Sequence, residues 1–270
     1  MFNSHIHTEY SHDCTVPVEE MCRAAIEKGF TGIAITDHCN ADTCISDDAY
    51  RKILKSGEEA RRLNKKYEGV LSVTAGVEMS DVLRKPDYAK RLIKALDPDC
   101  IILSVHNIMR KNPTEHLSRM DFGSMDGSEI DSVIKVYFSE LLRAVKEADY
   151  DICAHLTLPF RYINGKYGKK ADVSKYMTEI KKVLSVLIDR NKALEINTSN
   201  LSHMLRDFMP SEDIVRLYRE MGGKLVTIGT DAHVPENIDA GFKDGAAMLK
   251  RLGFTSYVYY KNRRAVEIEL

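Results

Sequence analysis

A parallel α/β barrel, incomplete or distorted, is the fold this sequence predicts, and three observations predict it. Short runs rich in Val, Ile and Leu alternate with longer segments of helical periodicity. There are seven or so such strand–helix units in series. No Pro/Gly/Ser linker, internal repeat or low-complexity stretch interrupts them, so the reading is one domain over residues 1–270. Pattern alone does not show closure, and an open doubly wound sheet is the alternative.

The strands expected are 2–7, 31–38, 70–78, 100–106, 151–155, 193–198 and 225–231, with a less regular one at 255–260. Most are near-continuous apolar runs, which is how strands buried on both faces read. Helices are expected at 18–28, 47–67, 87–96, 128–148, 173–190, 212–221 and 240–252. Gly29 and Gly253 supply stop signals, and Ser211 ahead of Glu212 and Asp213 supplies an N-cap with acids in the first turn. The polar segment 107–127, which includes Lys111, Pro113, Asp121, Gly123 and Gly127, breaks the rhythm. At the C-terminal end of a barrel strand it reads as a lid or substrate-shaping loop, with a plain surface loop as the alternative.

Composition narrows the function. The chain has 270 residues, 39 Lys and Arg against 40 Asp and Glu, and a formal net charge of -1. That balance argues against nucleic acid as the main partner. No apolar run is long enough to span a bilayer, and the start lacks the apolar core of a signal peptide, so the expected location is cytoplasmic. The six cysteines, Cys14, Cys22, Cys39, Cys44, Cys100 and Cys153, form no C-x-x-C pair and read as reduced, structural thiols.

The chemistry lies in where the histidines fall. His5 and His7, His38, Glu78, His106, His155, and Asp231 with His233 sit at or just past the C-terminal ends of successive expected strands. A parallel barrel gathers those ends at one face. His5 and His7, two apart on a strand, point to the same side. One histidine at a strand end is ordinarily a hydrogen-bonded core or surface residue. Here six of nine share that placement, with two acids, and the joint pattern reads as a metal cluster. Imidazole and carboxylate without thiolate suit Zn, Fe or Mn. A catalytic zinc uses about three protein ligands, so seven or more imply two or three metals, with Glu78 bridging a pair. Adjacent metals can activate a bridging hydroxide and clamp the oxygens of a displacement at phosphorus.

The motifs His5-Ile6-His7-Thr8, Ser11-His12-Asp13, Ile35-Thr36-Asp37-His38, Gly76-Val77-Glu78, Ser104-Val105-His106, Ala154-His155-Leu156, Leu194-Glu195-Ile196-Asn197-Thr198 and Gly229-Thr230-Asp231-Ala232-His233 run over nearly the whole chain. In that order they resemble the polymerase and histidinol phosphatase (PHP) superfamily, and within it the monofunctional histidinol-phosphatase branch. The resemblance implies a distorted (β/α)7 barrel with three divalent metal ions at the C-terminal ends of its strands. It implies that His5, His7, Glu78 and Asp231 hold one metal, and that Glu78 bridges to a second bound by His106 and His155. Asp13, His38 and His233 would hold the third. His12 competes with Asp13, and the spacing from His7 favours Asp13. Arg161 resembles the family's phosphate-binding arginine, and an arginine can grip phosphate through two parallel hydrogen bonds.

There is also a departure. Some histidinol phosphatases carry a second phosphate-binding arginine after the Glu195–Thr198 motif, where this chain has Ser199-Asn200, with Arg206 further on. The expected reaction is hydrolysis of a small phosphomonoester, L-histidinol phosphate first, with Asp231 or His233 relaying the leaving-group proton. A nucleotide phosphoesterase or nuclease on a short substrate is the runner-up, and a non-catalytic polymerase accessory module the third reading. Asn197 reads as a structural hydrogen-bonder, and His116 and His203, which match no motif, read as exposed. Oligomeric state and metal identity stay open.

Overall fold

A computed structural model describes residues 1–40, 46–109, 114–202 and 205–270. The elements run β1 (Phe2–Ile6), α1 (Val18–Glu27), β2 (Gly32–Ile35), β3 (His38–Asn40), α2 (Asp47–Lys66), β4 (Ser72–Ser80), α3 (Pro86–Leu96), β5 (Cys100–Ser104), β6 (Asn107–Ile108), β7 (Glu115–His116), α4 (Gly127–Glu147) and β8 (Ile152–Cys153). After β8 come α5 (Leu158–Phe160), α6 (Met177–Asp189), β9 (Ala193–Asn197), α7 (Glu212–Glu220), β10 (Val226–Gly229), α8 (Phe242–Arg251), β11 (Ser256–Lys261) and β12 (Arg264–Glu269). Strands β1, β2, β4, β5, β8, β9 and β10 pair in that order, all parallel, as the apolar runs predict.

The barrel closes at its C-terminal rim. The Asp231 amide donates to the His5 carbonyl at 2.9 Å and the His7 amide to the Ala232 carbonyl at 2.9 Å, so the first strand and the end of the last are joined. Below that seam Asn3 donates to the Thr230 hydroxyl at 2.6 Å and to the Ile238 carbonyl at 3.0 Å. Closure removes the exposed edges an open sheet would leave. The seven parallel strands and their bonded seam favour the barrel over the doubly wound alternative.

Helices cover the outside where the periodicity put them. α4 begins with a full capping box, Asp126 accepting from the Glu129 amide and Glu129 accepting from the Asp126 amide. Ser211 stands at the start of α7 with extended backbone, but its side chain makes no capping bond, so its contribution is conformational. The expected strand 31–38 is two strands. It breaks at Thr36-Asp37, because Asp37 turns its carboxylate back to accept from the Thr8 amide and hydroxyl, Ser11 and Ser56. The expected helix 173–190 opens as a short 3-10 turn, Val173–Tyr176, before α6.

Within the segment 107–127, the part following residue 113 is ordered on the barrel rim; residues 110–113 lie outside the described residues. β6 pairs antiparallel with β7, and a 3-10 turn, Leu117–Arg119, follows. This stretch is tied to a π-helical turn, Arg161–Lys166, that extends α5. Lys166 donates to the Ser118 carbonyl at 3.3 Å, Lys169 to the Gly123 carbonyl at 3.0 Å, and the Phe122 and Tyr167 rings meet edge-on. The two segments form one wall. Cys14, Cys22, Cys39, Cys100 and Cys153 are buried thiols outside any disulfide, and Cys44 lies outside the described residues. Among the described residues no helix is long and apolar enough to cross a membrane.

Candidate metal centre

Every acid and imidazole the sequence put at a strand end reaches one place, the C-terminal mouth of the barrel. Glu78, at the centre, is buried. Its Oε2 lies 3.6 Å from His5 Nε2 and 3.7 Å from His7 Nε2. Its Oε1 lies 3.0 Å from His155 Nε2 and 3.2 Å from His106 Nε2. His5 Nε2 and His7 Nε2 stand 3.0 Å apart, and Asp231 Oδ1 is 3.1 Å from His7 Nε2 and 3.8 Å from His5 Nε2. A third group lies toward solvent, where Asp13 Oδ2 is 3.4 Å from His38 Nε2 and Oδ1 is 3.5 Å from His233 Nε2.

Combinations of these side chains, among them His5 with His7 and Asp231, and His38 with Glu78 and His106, bring ligand atoms close enough to share a cation. His12, more than half exposed, stands 3.8 Å from Asp13 Oδ2 and completes a further triple with Asp13 and His38. Asp13 reaches both His38 and His233, whereas His12 reaches Asp13 alone among these ion-pair contacts.

Partners behind the rings set which nitrogen faces inward. His5 Nδ1 is 2.6 Å from Glu195 Oε1. His7 Nδ1 is 3.1 Å from Ser11 Oγ, whose own proton goes to Asp37 at 2.7 Å. His106 Nδ1 faces Asn40 Oδ1 at 3.3 Å, and His233 Nδ1 faces the Asp231 carbonyl at 2.9 Å. Each of these Nδ1 atoms meets an acceptor, which favours a proton there and turns the four Nε2 atoms toward the centre.

The donor set fits divalent cations by what it leaves unpaired. His38 Nδ1, Glu78 Oε2 and His155 Nδ1 are buried without a hydrogen bond, although His38 Nδ1 and Glu78 Oε2 face each other at 2.5 Å. Buried polar atoms are nearly always satisfied, and such a group in a bed of nitrogen and carboxylate oxygen has the chemistry of a ligand. Without a cation the charges compensate one another. Burial opposes ionisation of Glu78, but His38, His106 and His5 hold its carboxyl well below the usual range. Asp231 is held well below likewise by His5, His7 and His233 against its burial. Burial is outweighed at His38 by Glu78 and Asp13, which push it up to about 10. Burial and the neighbouring His38 and His233 keep His7 well below its ordinary value.

Backbone strain marks two of these positions. His155 has φ 23° and Asp231 φ 53°, left-handed values that non-glycine residues seldom adopt. The His155 amide is held there by donating to Glu195 Oε2 at 2.7 Å. Glu195 thus orients one ring and fixes the turn that presents another. Room for it depends on Gly229, where a Cβ would stand 2.4 Å from Glu195 Oε1 and 2.6 Å from His5 Cβ. Sequence reasoning quoted Glu195 in a motif but gave it no role. The available signal was a lone carboxylate inside the apolar strand Ala193–Asn197, where an unpaired charge is too costly to bury idly.

Above the centre opens a cavity of about 370 Å³, lined by His12, Asp13, His38, His106, His155, Asp231 and His233 below and by Arg161, Tyr162, His116 and Arg119 around the rim. Arg161 donates to Ser199 at 3.4 Å and stands 3.7 Å from Asp231 Oδ2. Asn197 donates to Glu195 at 3.2 Å and accepts from Ser199, a structural role as read. His116 corrects the sequence reading, since it is half-buried on the cavity wall rather than exposed. Burial, His106 and Arg119 lower it to about 4, and Ser118 donates to its Nδ1 at 2.7 Å. Arg206 is exposed and lines none of the cavities around the centre. His203 lies outside the described residues.

The PHP domain model matches residues 3–199, well over half of the chain. The chain belongs to the PHP domain family. Its relatives in that family include the probable histidinol-phosphatase of Clostridium acetobutylicum, 26% identical over 97% of both chains. That of Thermotoga maritima is 25% identical over the full length of both. A histidinol phosphate phosphatase from Lactococcus lactis, crystallised with zinc, L-histidinol and phosphate, superimposes with a TM-score of 0.81 over 98% of both chains at 21% identity. That likeness establishes the same barrel fold.

Proposed function

We propose that the chain, acting as a single domain, is a metal-dependent phosphomonoesterase that hydrolyses L-histidinol phosphate to L-histidinol and phosphate in the cytoplasm. The observation that carries this is Glu78, a buried carboxylate shared between two groups of imidazoles beneath a cavity with an arginine on its rim. The full-length relatives named histidinol-phosphatase support the choice of substrate.

Three divalent cations fit the reading, of which Zn, Fe and Mn suit the donors. His5, His7, Glu78 and Asp231 would hold the first, Glu78, His106 and His155 the second, and Asp13, His38 and His233 the third. When bound, such ions polarise water and neutralise the phosphoryl oxygens.

The chain's own residues do the rest. Arg161 grips the phosphoryl group from the rim and sets it in line with the water. As the water oxygen bonds to phosphorus and the bond to the alkoxide breaks, one proton must leave the water and one must reach the alkoxide. Asp231 is the relay assigned, because its Oδ1 is turned to His7 while Oδ2 faces Arg161. His233, beside it at 3.8 Å, is the other candidate.

Purified protein with zinc or manganese restored should release phosphate from histidinol phosphate far faster than from nucleoside mono- or bisphosphates in parallel assays. Preference for nucleotides would move the reading to a nucleotide phosphoesterase; inertness toward all of them with metal bound would defeat it.

A further inference from the structure

The strongest unassigned feature is on the wall of the cavity that Arg161 also lines. Arg119 ends the 3-10 turn Leu117–Arg119 and lines the 370 Å³ cavity over the metal centre. It also lines a neighbouring cavity of about 340 Å³, which shares His12, His38 and His116 with the first. It makes no ion pair or hydrogen bond with any described residue, although the chain's other rim cation, Arg161, is engaged with Ser199 and Asp231. The turn that carries it is fastened to the turn that carries Arg161 through Lys166 and the Ser118 carbonyl. Two guanidinium groups thus line one cavity, carried by two turns that are tied to each other.

We infer that Arg119 is a second phosphate-binding cation of this site, forming with Arg161 a clamp for a dianionic phosphomonoester. The inference rests on the phosphoesterase reading and deepens it. It also bears on Ser199, which stands where some histidinol phosphatases carry a second arginine after the Glu195–Thr198 motif. In place of a guanidinium there, Ser199 accepts a hydrogen bond from Arg161, and the second charge comes from another strand's connection. A planar guanidinium is suited to this because it meets two phosphate oxygens at once. An opening flanked by two arginines favours a terminal phosphate over a diester, which carries one charge fewer.

The test uses the zinc-loaded protein and inorganic phosphate, titrated by calorimetry so that the readout does not depend on turnover or on the substrate's identity. Arg119→Ala should weaken phosphate binding roughly 10-fold, the loss of one charge-assisted contact, with zinc content and melting temperature unchanged. Arg119→Lys should recover part of the affinity, because charge returns without the fork. With histidinol phosphate the same variants should raise KM more than they lower kcat. Exposed Arg206, changed to Ala, should leave phosphate binding as it is. Wild-type affinity in Arg119→Ala beside lost affinity in Arg161→Ala would overturn the clamp and leave the phosphoesterase standing. Zinc loss in Arg119→Ala would assign the residue a structural role and overturn it equally. If zinc-loaded wild type fails to bind phosphate, the phosphoesterase reading falls, and the clamp with it.

Discussion

At the N-terminal end of the barrel two acids lie at the starts of strands. Asp99 accepts from the Ala75 and Asn262 amides, and Asp151 accepts from the Ile101 amide and from Arg263, which also holds Asp149. At the opposite end Glu78 and Asp231 are just as enclosed but meet imidazoles, several of whose lone pairs point at one another. The first end is closed, Asp99 answered by backbone amides and Asp151 by an amide and the Arg263 guanidinium. The second is incomplete, with buried atoms unpaired and like groups crowded together. The same residue types therefore give a structural joint or a reaction centre according to whether the compensating charge is covalently part of the chain.

Substitutions at the two ends should separate stability from activity. Glu78→Ala removes the shared carboxylate and should cut turnover by more than about 1,000-fold, about 4 kcal/mol of barrier, with zinc content falling in elemental analysis. Retention of both rate and zinc would break the contrast. Arg263→Ala should do the reverse. It should cost about 2–3 kcal/mol in urea melts, a buried-pair penalty reduced because the guanidinium is partly exposed, while kcat and zinc content hold. Glu195→Gln sharpens the comparison, since it keeps the shape and loses the charge behind His5. Metal affinity should fall about 10- to 100-fold, read by chelator competition.

The smallest effect is in pH. In metal-free protein the depressed carboxyls of Glu78 and Asp231 contribute stability above the ordinary carboxylate range, and it is lost as pH falls through their lower folded values. His38, raised to about 10, contributes stability fully present below about 6.5 and lost as pH rises through 10. The melting temperature of the metal-free form should therefore drop by a few degrees between pH 7 and 10. Zinc must displace the His38 proton, so its apparent affinity should rise over that window. A flat apparent zinc affinity there would contradict the assignment of His38.

Much of this was legible in the residues. The strand ends and the convergence of His5 through His233 follow from apolar runs and from where polar residues interrupt them; Arg161 came from the family resemblance. What escaped was set by tertiary partners. The break at Thr36-Asp37 exists because Asp37 serves the loop after β1. β8 is short because the chain turns sharply at His155. The hairpin of β11 and β12 was half seen; its turn places Asn262 and Arg263 at φ 49° and 61° without the usual glycine, with Arg263 tied to Asp149 and Asp151. His116 escaped because no local pattern distinguishes a histidine on a cavity wall from one in solvent.

The seam joining His5 and His7 to Asp231 and Ala232 has a consequence for biosynthesis. The clustered side chains come from the first and the last barrel strands, so a nascent chain whose residues 231–233 are still inside the ribosome has an unsealed barrel and only part of the cluster. Metal capture by the full set of side chains therefore waits until residues 231–233 have emerged and closed the seam on β1.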